Sequence, residues 1–453
     1  MNNNSSVNVY KSEFIFRRTD TKINAVDHLS GITFIIGDKK GYIYLMENNQ
    51  RKKEAVQIAE PIRLSKTLIE RIISLSSDRL LACVLTDGVI HLVDFSNKSK
   101  IKVMSGVTNM YYYPGDRTPS GKSKFFVTQK KKCSAFLLDL NAENLNTVFK
   151  LVKDFSFPHT PDVAVWHKNS VSVAFVGREY SILDFKTGTS KEKLRKDFVQ
   201  ILDDDPIIRV IDEDEILFLT KVGKDFIGIF LDSAGKICAK NSMSITTKGI
   251  KDIVPTNKHI IVMEKILRLH VFSKTDVQHL QVIDIENPSK YLFLSNSMED
   301  VYVATRNSVH FLRLQPYDNQ IQECLDKCQG KKALSIFDSY YSPSYKTRDI
   351  LLLKLYYDIS WAYLNRKMYK EAQESFAHSS FDPLELLERE FPDYLQINYK
   401  RDRGNNPFYK KEPLNFLINV FMKKRQQILK EYPQPEQENI NRLHTQGGEV
   451  SLF

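Results

Sequence analysis

The sequence predicts a mainly β chain with an α-helical C-terminal part: a seven-bladed β-propeller followed by a short α-solenoid segment. Three observations predict it. Two-strand patterns begin near Gly31, Asp78, Lys122, Asn169, Asp212, Asn257 and Met298, roughly 41 to 47 residues apart, the spacing of one four-stranded blade per repeat. The pattern stops after about Gln315, and the apolar period becomes helical. At 453 residues the chain is also too long for one compact core of ordinary size, so two units are expected.

Each repeat shows itself as a hairpin, read as the inner hairpin of its blade. Ile32–Gly37 is a strand, Asp38–Gly41 a turn, and Tyr42–Met46 the return. Arg79–Leu85 and Ile90–Phe95 flank Asp87-Gly88, a tight-turn pair. Phe125–Val127 pairs with Ala135–Leu138, and Val171–Phe175 with Tyr180–Leu183. Ile216–Leu219 pairs with Phe226–Phe230, Ile260–Met263 with Leu267–Val271, and Val301–Ala304 with Val309–Leu312. Aliphatic and aromatic runs bounded by Gly, Asn, Asp and Lys are strand and hairpin signals. Ile72–Leu75 and Ile250–Val254 read as outer strands.

From Asp318 the spacing is helical. Ile321, Leu325 and Cys328 share one face, and Ala333, Ile336 and Phe337 another. A long helix is predicted over Arg348–Leu364, with Tyr369–Phe376 as its antiparallel partner. Asp382-Pro383 opens a short helix, because Asp caps and Pro suits a first turn. A linker is expected through Arg401–Pro413, and a last amphipathic helix over Leu414–Leu429. The domain expectation is therefore a propeller over residues 1–315, helices over 316–430 and a disordered tail over 431–453.

The formal charge is +10, yet Lys and Arg alternate with acids, and the dense basic runs are Lys130–Lys132 and Lys191–Lys196. A nucleic-acid binder gathers its basic residues on one face or in one run, so no nucleic-acid partner is expected. The runs read as a solvated hairpin tip and a loop, with weak attraction to anionic membrane surfaces as the second reading. Cys83, Cys133, Cys238, Cys324 and Cys328 are scattered and odd in number, which implies no disulfide framework and fits a reducing cytosol. The polar start Met1–Ser6 is not a signal-peptide pattern. No apolar run approaches the ~18 residues a membrane span needs, so action at membranes is expected from the cytosolic side.

No catalytic, cofactor-binding or metal residue is assigned. Gly115–Ser123 looks like a phosphate loop but has one residue too many between its glycines and leads into a strand rather than a helix N-terminus. It reads as a loop between blades. Cys324 and Cys328, one helical turn apart, are half of a zinc pattern with no second half. His91, His270 and His310 recur in returning strands, with blade-core or channel-lining roles. The acidic segments Asp203–Asp205 and Asp212–Glu215 lack the spacing of a calcium loop and read as an inter-blade loop. Tyr111–Pro114 is read as packing between blades, with a partner-binding patch as the alternative.

The repeats resemble a citron homology (CNH) domain. In the helical part, Gln320–Leu325 with Lys332–Leu334, Lys367–Ala372 leading to Phe376, Phe381–Leu387 and Phe391–Leu395 resemble the vacuolar protein sorting 39 (Vam-six) and TGF-β-receptor-associated protein family. Pro413–Lys430, with Lys423-Lys424-Arg425 at its centre, resembles the next helix of that family. Members continue through a longer solenoid to a C-terminal assembly region, and the resemblance here covers only the solenoid's beginning.

The resemblance implies a non-enzymatic subunit of a HOPS- or CORVET-type tethering complex. It implies a Rab-type small GTPase and other tether subunits as partners, no cofactor, and peripheral contact with late endosomal, lysosomal or vacuolar membrane. A propeller that regulates a GTPase as an exchange factor, a propeller enzyme with chemistry in its channel, and a scaffold outside membrane traffic are the competing readings.

Overall fold

The computed structural model describes residues 7–17, 22–30, 33–49, 54–75, 80–117, 123–157, 159–167, 170–175, 180–184, 190–191, 207–212, 215–232, 236–238, 242–265, 268–285, 289–294, 301–305, 307–390 and 411–431. The chain divides into two compact units, Met1–Gln320 and Ile321–Phe453.

The first unit is a mainly-β propeller. Among the described residues its strands form seven antiparallel sheets. Strand β1 (Tyr10–Arg17) stands apart in sequence from the sheet it joins. The first sheet runs β2 (Ile23–Ser30), β3 (Thr33–Asp38), β4 (Tyr42–Asn49) and β5 (Glu54–Gln57), with β6 (Ile62–Arg63) also on β4. The second runs β7 (Ile69–Leu75), β8 (Leu81–Thr86), β9 (Val89–Asp94) and β10 (Ser99–Ser105). The third holds β11 (Val107–Arg117), β12 (Ser123–Gln129), β13 (Lys132–Leu138) and β14 (Phe149–Ser156). The fourth holds β15 (Pro161–His167), β16 (Ser170–Phe175), β17 (Tyr180–Asp184) and β18 (Ser190–Lys191). The fifth is β19 (Ile207–Val210), β20 (Glu215–Val222), β21 (Asp225–Asp232) and β22 (Met243–Thr246). The sixth is β23 (Ile250–Pro255), β24 (His259–Glu264), β25 (Arg268–Ser273) and β26 (His279–Asp284). The seventh takes β27 (Ser289–Leu294), β28 (Val301–Thr305) and β29 (Ser308–Leu314) from the end of the repeat region, and β1 from its start.

The first strand of each sheet is the innermost. β2, β7, β11, β15, β19, β23 and β27 neighbour one another in that order, and β27 returns to β2. This corrects the sequence expectation. The hairpins legible in the sequence are the second and third strands of their sheets, not the inner ones, and Ile72–Leu75 and Ile250–Val254 lie on innermost rather than outer strands. The physical reason is burial. The middle strands are covered on both faces by neighbouring sheets, so β8 and β24 read as unbroken apolar runs. The true outer strands β10 and β14 are half-buried to exposed and carry mixed residues.

Ring closure joins the two ends of the repeat region. β1 pairs with β29 from Tyr10↔Leu314 to Arg17↔Ser308, with one bulge. The segment before it crosses to the sixth sheet: the Val7 N–H donates to Leu280 O at 3.1 Å. The Tyr10 N–H donates to Gln281 Oε1 at 2.7 Å, and Gln281 Nε2 donates back to Tyr10 O at 2.8 Å. The Tyr10 hydroxyl and His259 Nδ1 share a buried hydrogen bond of 3.0 Å. Two adjacent sheets are thereby tied to the same N-terminal strand.

The second unit is helical. The described helices are α1 (Tyr317–Asp326, which spans the unit boundary), α2 (Gly330–Tyr340), α3 (Arg348–Asn365), α4 (Tyr369–Phe376), α5 (Pro383–Glu390) and α6 (Lys411–Glu431). Helices α3 to α6 share one core of Trp361, Leu364, Ala372, Phe376, Phe381, Leu386, Phe416, Leu417 and Val420. Gly330 lets α2 approach α3: its N–H donates to the Tyr363 hydroxyl at 3.1 Å, and a Cβ there would lie 2.7 Å from that oxygen. α6 begins before the expected Leu414. Its Pro413 falls in the first turn, where a missing N–H costs nothing. Phe391–Leu395, residues 401–410 and the tail from 432 lie outside the described residues.

Candidate functional site

The innermost strands share a feature absent from the sequence pattern. Six of the seven carry a register shift at their second residue: between Ile23/Ala25, Ile69/Arg71, Val107/Asn109, Pro161/Val163, Ile250/Asp252 and Ser289/Tyr291. A bulge inserts an extra residue, so that two residues oppose one on the partner strand, and re-aims the side chain that follows. In three of these strands that side chain is polar: Arg71, Asn109 and Asp252.

These side chains form a polar belt along the inner ring. Asp27 on β2 accepts the Ser74 N–H of β7 at 2.5 Å and the His28 N–H at 2.9 Å. Arg71 Nη1 donates to Asn109 Oδ1 at 2.6 Å, and its guanidinium lies 4.9 Å from the Tyr111 ring centre. Asn109 Nδ2 donates to the Tyr111 hydroxyl at 3.3 Å. On the fifth and sixth sheets, Arg209 donates to Asp252 Oδ1 at 2.5 Å, to Ile253 O at 3.1 Å and to Ile208 O at 2.9 Å. Burial pulls the Arg209 pKa down, but Asp252 and Tyr111 more than offset this and the net shift is upward. Burial pushes Asp27 up to about 7, against the pull of its two N–H donors and of Arg71. Asp27, Arg71 and Arg209 each bond to a group on a neighbouring sheet, so the belt stitches sheets together.

The singled-out residues are not brought to one place. His91, His270 and His310 lie on β9, β25 and β29, the third strands of three different sheets, so they do not line the channel. His270 sits between Glu264, 2.6 Å from its Nε2, and His279, 3.1 Å from its Nδ1. His91 is half-buried, and burial, then Lys100 and Lys102, lowers its pKa. Ser308 Oγ and His310 Nε2 are 3.1 Å apart, but the hydroxyl is buried and also engaged with Thr305 at 2.6 Å. Among the described residues no group of His, Cys, Asp and Glu is arranged to hold a metal ion.

Cys328 lies beyond the end of α1 with φ 52°, so it does not stand one helical turn from the buried Cys324. Its thiol donates to Ala362 O at 3.3 Å, and burial pushes the Cys324 thiol up to about 12. None of the five cysteines forms a disulfide. Gly115–Arg117 end β11 and Ser123 opens β12, so the phosphate-loop-like segment joins two strands of one sheet rather than two blades; Thr118–Lys122 are outside the described residues. Asp212 follows β19 and Glu215 opens β20, so this acidic segment also falls within one sheet, with the Glu215 N–H donating to Asp212 Oδ1 at 2.9 Å; Glu213 and Asp214 are outside the described residues. Asp203–Asp205 and residues 192–200 are outside the described residues. Lys130 and Lys131 form the exposed tip of the β12–β13 hairpin, as expected. Tyr111 packs between sheets, against the clusters of Phe126 and Ala164 on one side and Val163 and Ile208 on the other.

The antiparallel order of every sheet sorts its loops onto two faces. Turns between second and third strands, and connections from one sheet to the next, share one end of the barrel of strands; the other turns share the opposite end. Hydrogen bonds confirm the pairing. On the first face Leu64 N–H donates to Gly41 O at 2.9 Å, Val107 to Gly88 O at 3.0 Å, Phe157 to Lys131 O at 2.8 Å and Lys265 to Gly249 O at 2.9 Å. On the second, Phe95 N–H donates to Leu80 O at 3.0 Å and Lys274 to Lys258 O at 2.9 Å.

The fold is similar to that of the WD40 β-propeller domain of Doa1 in its crystal structure, with TM-score 0.51 and 11% identity over 68% of this chain and 98% of that one. It is also similar to the AfRom2 CNH domain, with TM-score 0.50 and 13% identity over 68% of this chain and all (100%) of that one. At these identities the likeness is one of fold. The chain matches no family model and no curated protein in sequence. Among the described residues no helix is long and apolar enough to cross a membrane.

Proposed function

We propose that this protein is a non-enzymatic tethering subunit of the vacuolar protein sorting 39 type, in which the propeller holds one partner and the helices dock into a larger assembly. The seven sheets and their ring of inner strands support a seven-bladed reading of the propeller. The observation that carries the functional reading is the helical motif. Lys367–Ala372 leads into α4, and Phe381–Leu387 opens α5, and both supply the shared helical core through Ala372, Phe376, Phe381 and Leu386. Some of the residues that resemble the tether family thus pack in the shared helical core, beside Trp361 and Leu364. A propeller offers many loops on a rigid frame, which suits binding, and fold by itself assigns no function.

The partners proposed are a Rab-type GTPase and other HOPS- or CORVET-type subunits, at the cytosolic face of late endosomes, lysosomes or vacuoles. Affinity capture of the folded full chain is expected to recover identified tether subunits together with an endosomal Rab. Recovery of neither rejects the assignment. Nucleotide release from the captured Rab, measured with purified components, separates a tether from an exchange factor: a tether leaves the rate unchanged.

A further inference from the structure

The two loop faces of the propeller differ in charge, and the difference is invisible in a sequence where basic and acidic residues alternate. On the face that carries the second-to-third-strand turns, exposed lysines stand on several sheets: Lys39 and Lys40, Lys130 and Lys131, and Lys224 at turn tips, with Lys66 and Lys248 on connections between sheets. The acids at this end are mostly engaged. Asp38 is buried and accepts the Lys40 and Tyr42 N–H groups at 2.8 and 2.9 Å. Asp154 pairs with Lys132 at 2.7 Å, Asp225 accepts from Thr246 at 2.6 Å, and Glu264 lies 2.6 Å from His270. Glu70, Asp87 and Asp284 are exposed acids at this end among the described residues, and Asp284 pairs with Arg268 at 3.1 Å. The opposite face mixes Lys98, Lys236, Lys258 and Lys274 with Asp139, Glu143, Asp212 and Asp276, and Lys274 lies 3.7 Å from Asp212.

Two large apolar side chains stand beside these lysines. Leu68 is 40% exposed two residues from Lys66, and Val222 is 39% exposed two residues from Lys224. We propose that this face docks on an anionic lipid membrane, with the lysines drawn to the headgroups and Leu68 and Val222 dipping among them. This deepens the tether reading by supplying its membrane contact, and it rests on that reading for its cellular role alone.

Three features favour a lipid surface. The charges are lysine point charges spread over separate sheets, which suits diffuse attraction to a charged plane; bidentate recognition of a single phosphate uses arginine. They sit on short turns around a ring rather than along a groove that a nucleic-acid strand follows. Exposed aliphatic groups next to basic ones match an interfacial anchor, whereas base stacking needs aromatic side chains.

The test is flotation of the full chain with vesicles of phosphatidylcholine alone or with about a quarter phosphatidylserine. Binding is expected only to the anionic vesicles and is expected to weaken steeply with salt. The triple variant Lys130→Glu, Lys131→Glu, Lys224→Glu is expected to lower the partition coefficient about 100-fold, since each lysine near such a surface strengthens binding about five-fold. A control pair on the opposite face, Lys98→Glu and Lys236→Glu, leaves it unchanged, and all variants keep the wild-type melting profile. Absence of anionic-vesicle binding, equal loss in both variants, or tight retention of a nucleic-acid duplex in place of vesicles overturns the inference. None of these results bears on capture of tether subunits, so the two readings fail separately.

Discussion

Asp27 and His259 are enclosed groups that titrate in opposite senses. Burial, then Lys258, lowers His259 to about 3, so the folded state keeps it neutral while the unfolded chain takes up a proton below its ordinary value of 6.5. Its contribution to stability is therefore present above pH 6.5 and is lost as pH falls toward 3. Asp27 behaves in reverse. With its pKa raised from 3.8 to about 7, the folded state holds a proton that the unfolded chain has released, so stability falls as pH rises between these values. In the window the two share, their slopes cancel, and the wild type is expected to be nearly flat between pH 4 and 6.5. Asp27→Asn removes one slope and leaves a protein that loses about 2 kcal/mol between pH 7 and pH 5. His259→Gln leaves one that gains on acidification. Urea titrations at the two pH values check both signs. A second prediction concerns the belt. Arg209 and Asp252 side chains are 24% and 21% exposed, so Arg209→Ala strands a carboxylate largely removed from water. The expected cost is about 2–3 kcal/mol, and the double variant with Asp252→Ala recovers part of it, measured as a coupling energy.

At the scale of elements, β1 and the helical core carry the predictions. β1 is an outer strand whose partner lies about 300 residues along the chain, so its place is held by tertiary contacts alone. Tyr10→Phe removes the hydroxyl from buried His259, and Gln281→Leu removes two hydrogen bonds to the Tyr10 backbone. Each is expected to cost about 1–3 kcal/mol in denaturant titrations. A chain beginning at residue 22, without β1, is expected to lose its cooperative transition, because the seventh sheet then lacks its outer strand. In the helical unit, Phe376 is fully buried against Trp361, Phe381 and Phe416. Phe376→Ala is expected to cost about 3–5 kcal/mol there and to leave the propeller's melting transition in place. The middle hairpins and most helices were legible in the sequence because burial on two faces leaves long apolar runs, and because helix periodicity is local. Ile72–Leu75 and Ile250–Val254 read as outer strands because bulges break the alternation at the start of the innermost strands and insert Asn24, Glu70, Thr108 or Lys251 into an apolar pattern.

At the scale of the whole molecule, a ring of sheets turns many weak local choices into two faces. A lysine in a hairpin turn is ordinary by itself. Repeated at the same end of several sheets it becomes a charged plane, and this sets where a large anionic partner can approach. The polar belt arises in the same way, from side chains on five inner strands that lie far apart in sequence: Asp27, Arg71, Asn109 with Tyr111, Arg209 and Asp252.

The sequence by itself determined the order of elements, the change from strands to helices near Gln315, and the hairpin turns at Asp38–Gly41 and Asp87-Gly88, since these depend on neighbours within a few residues. Tertiary structure alone decided which strand of each sheet faces the ring, which loops share a face, that His91, His270 and His310 stay apart, and that Tyr10 locks onto His259 and Gln281. Those outcomes depend on contacts closed across tens to hundreds of residues, where periodicity and turn chemistry carry no record of what lies opposite.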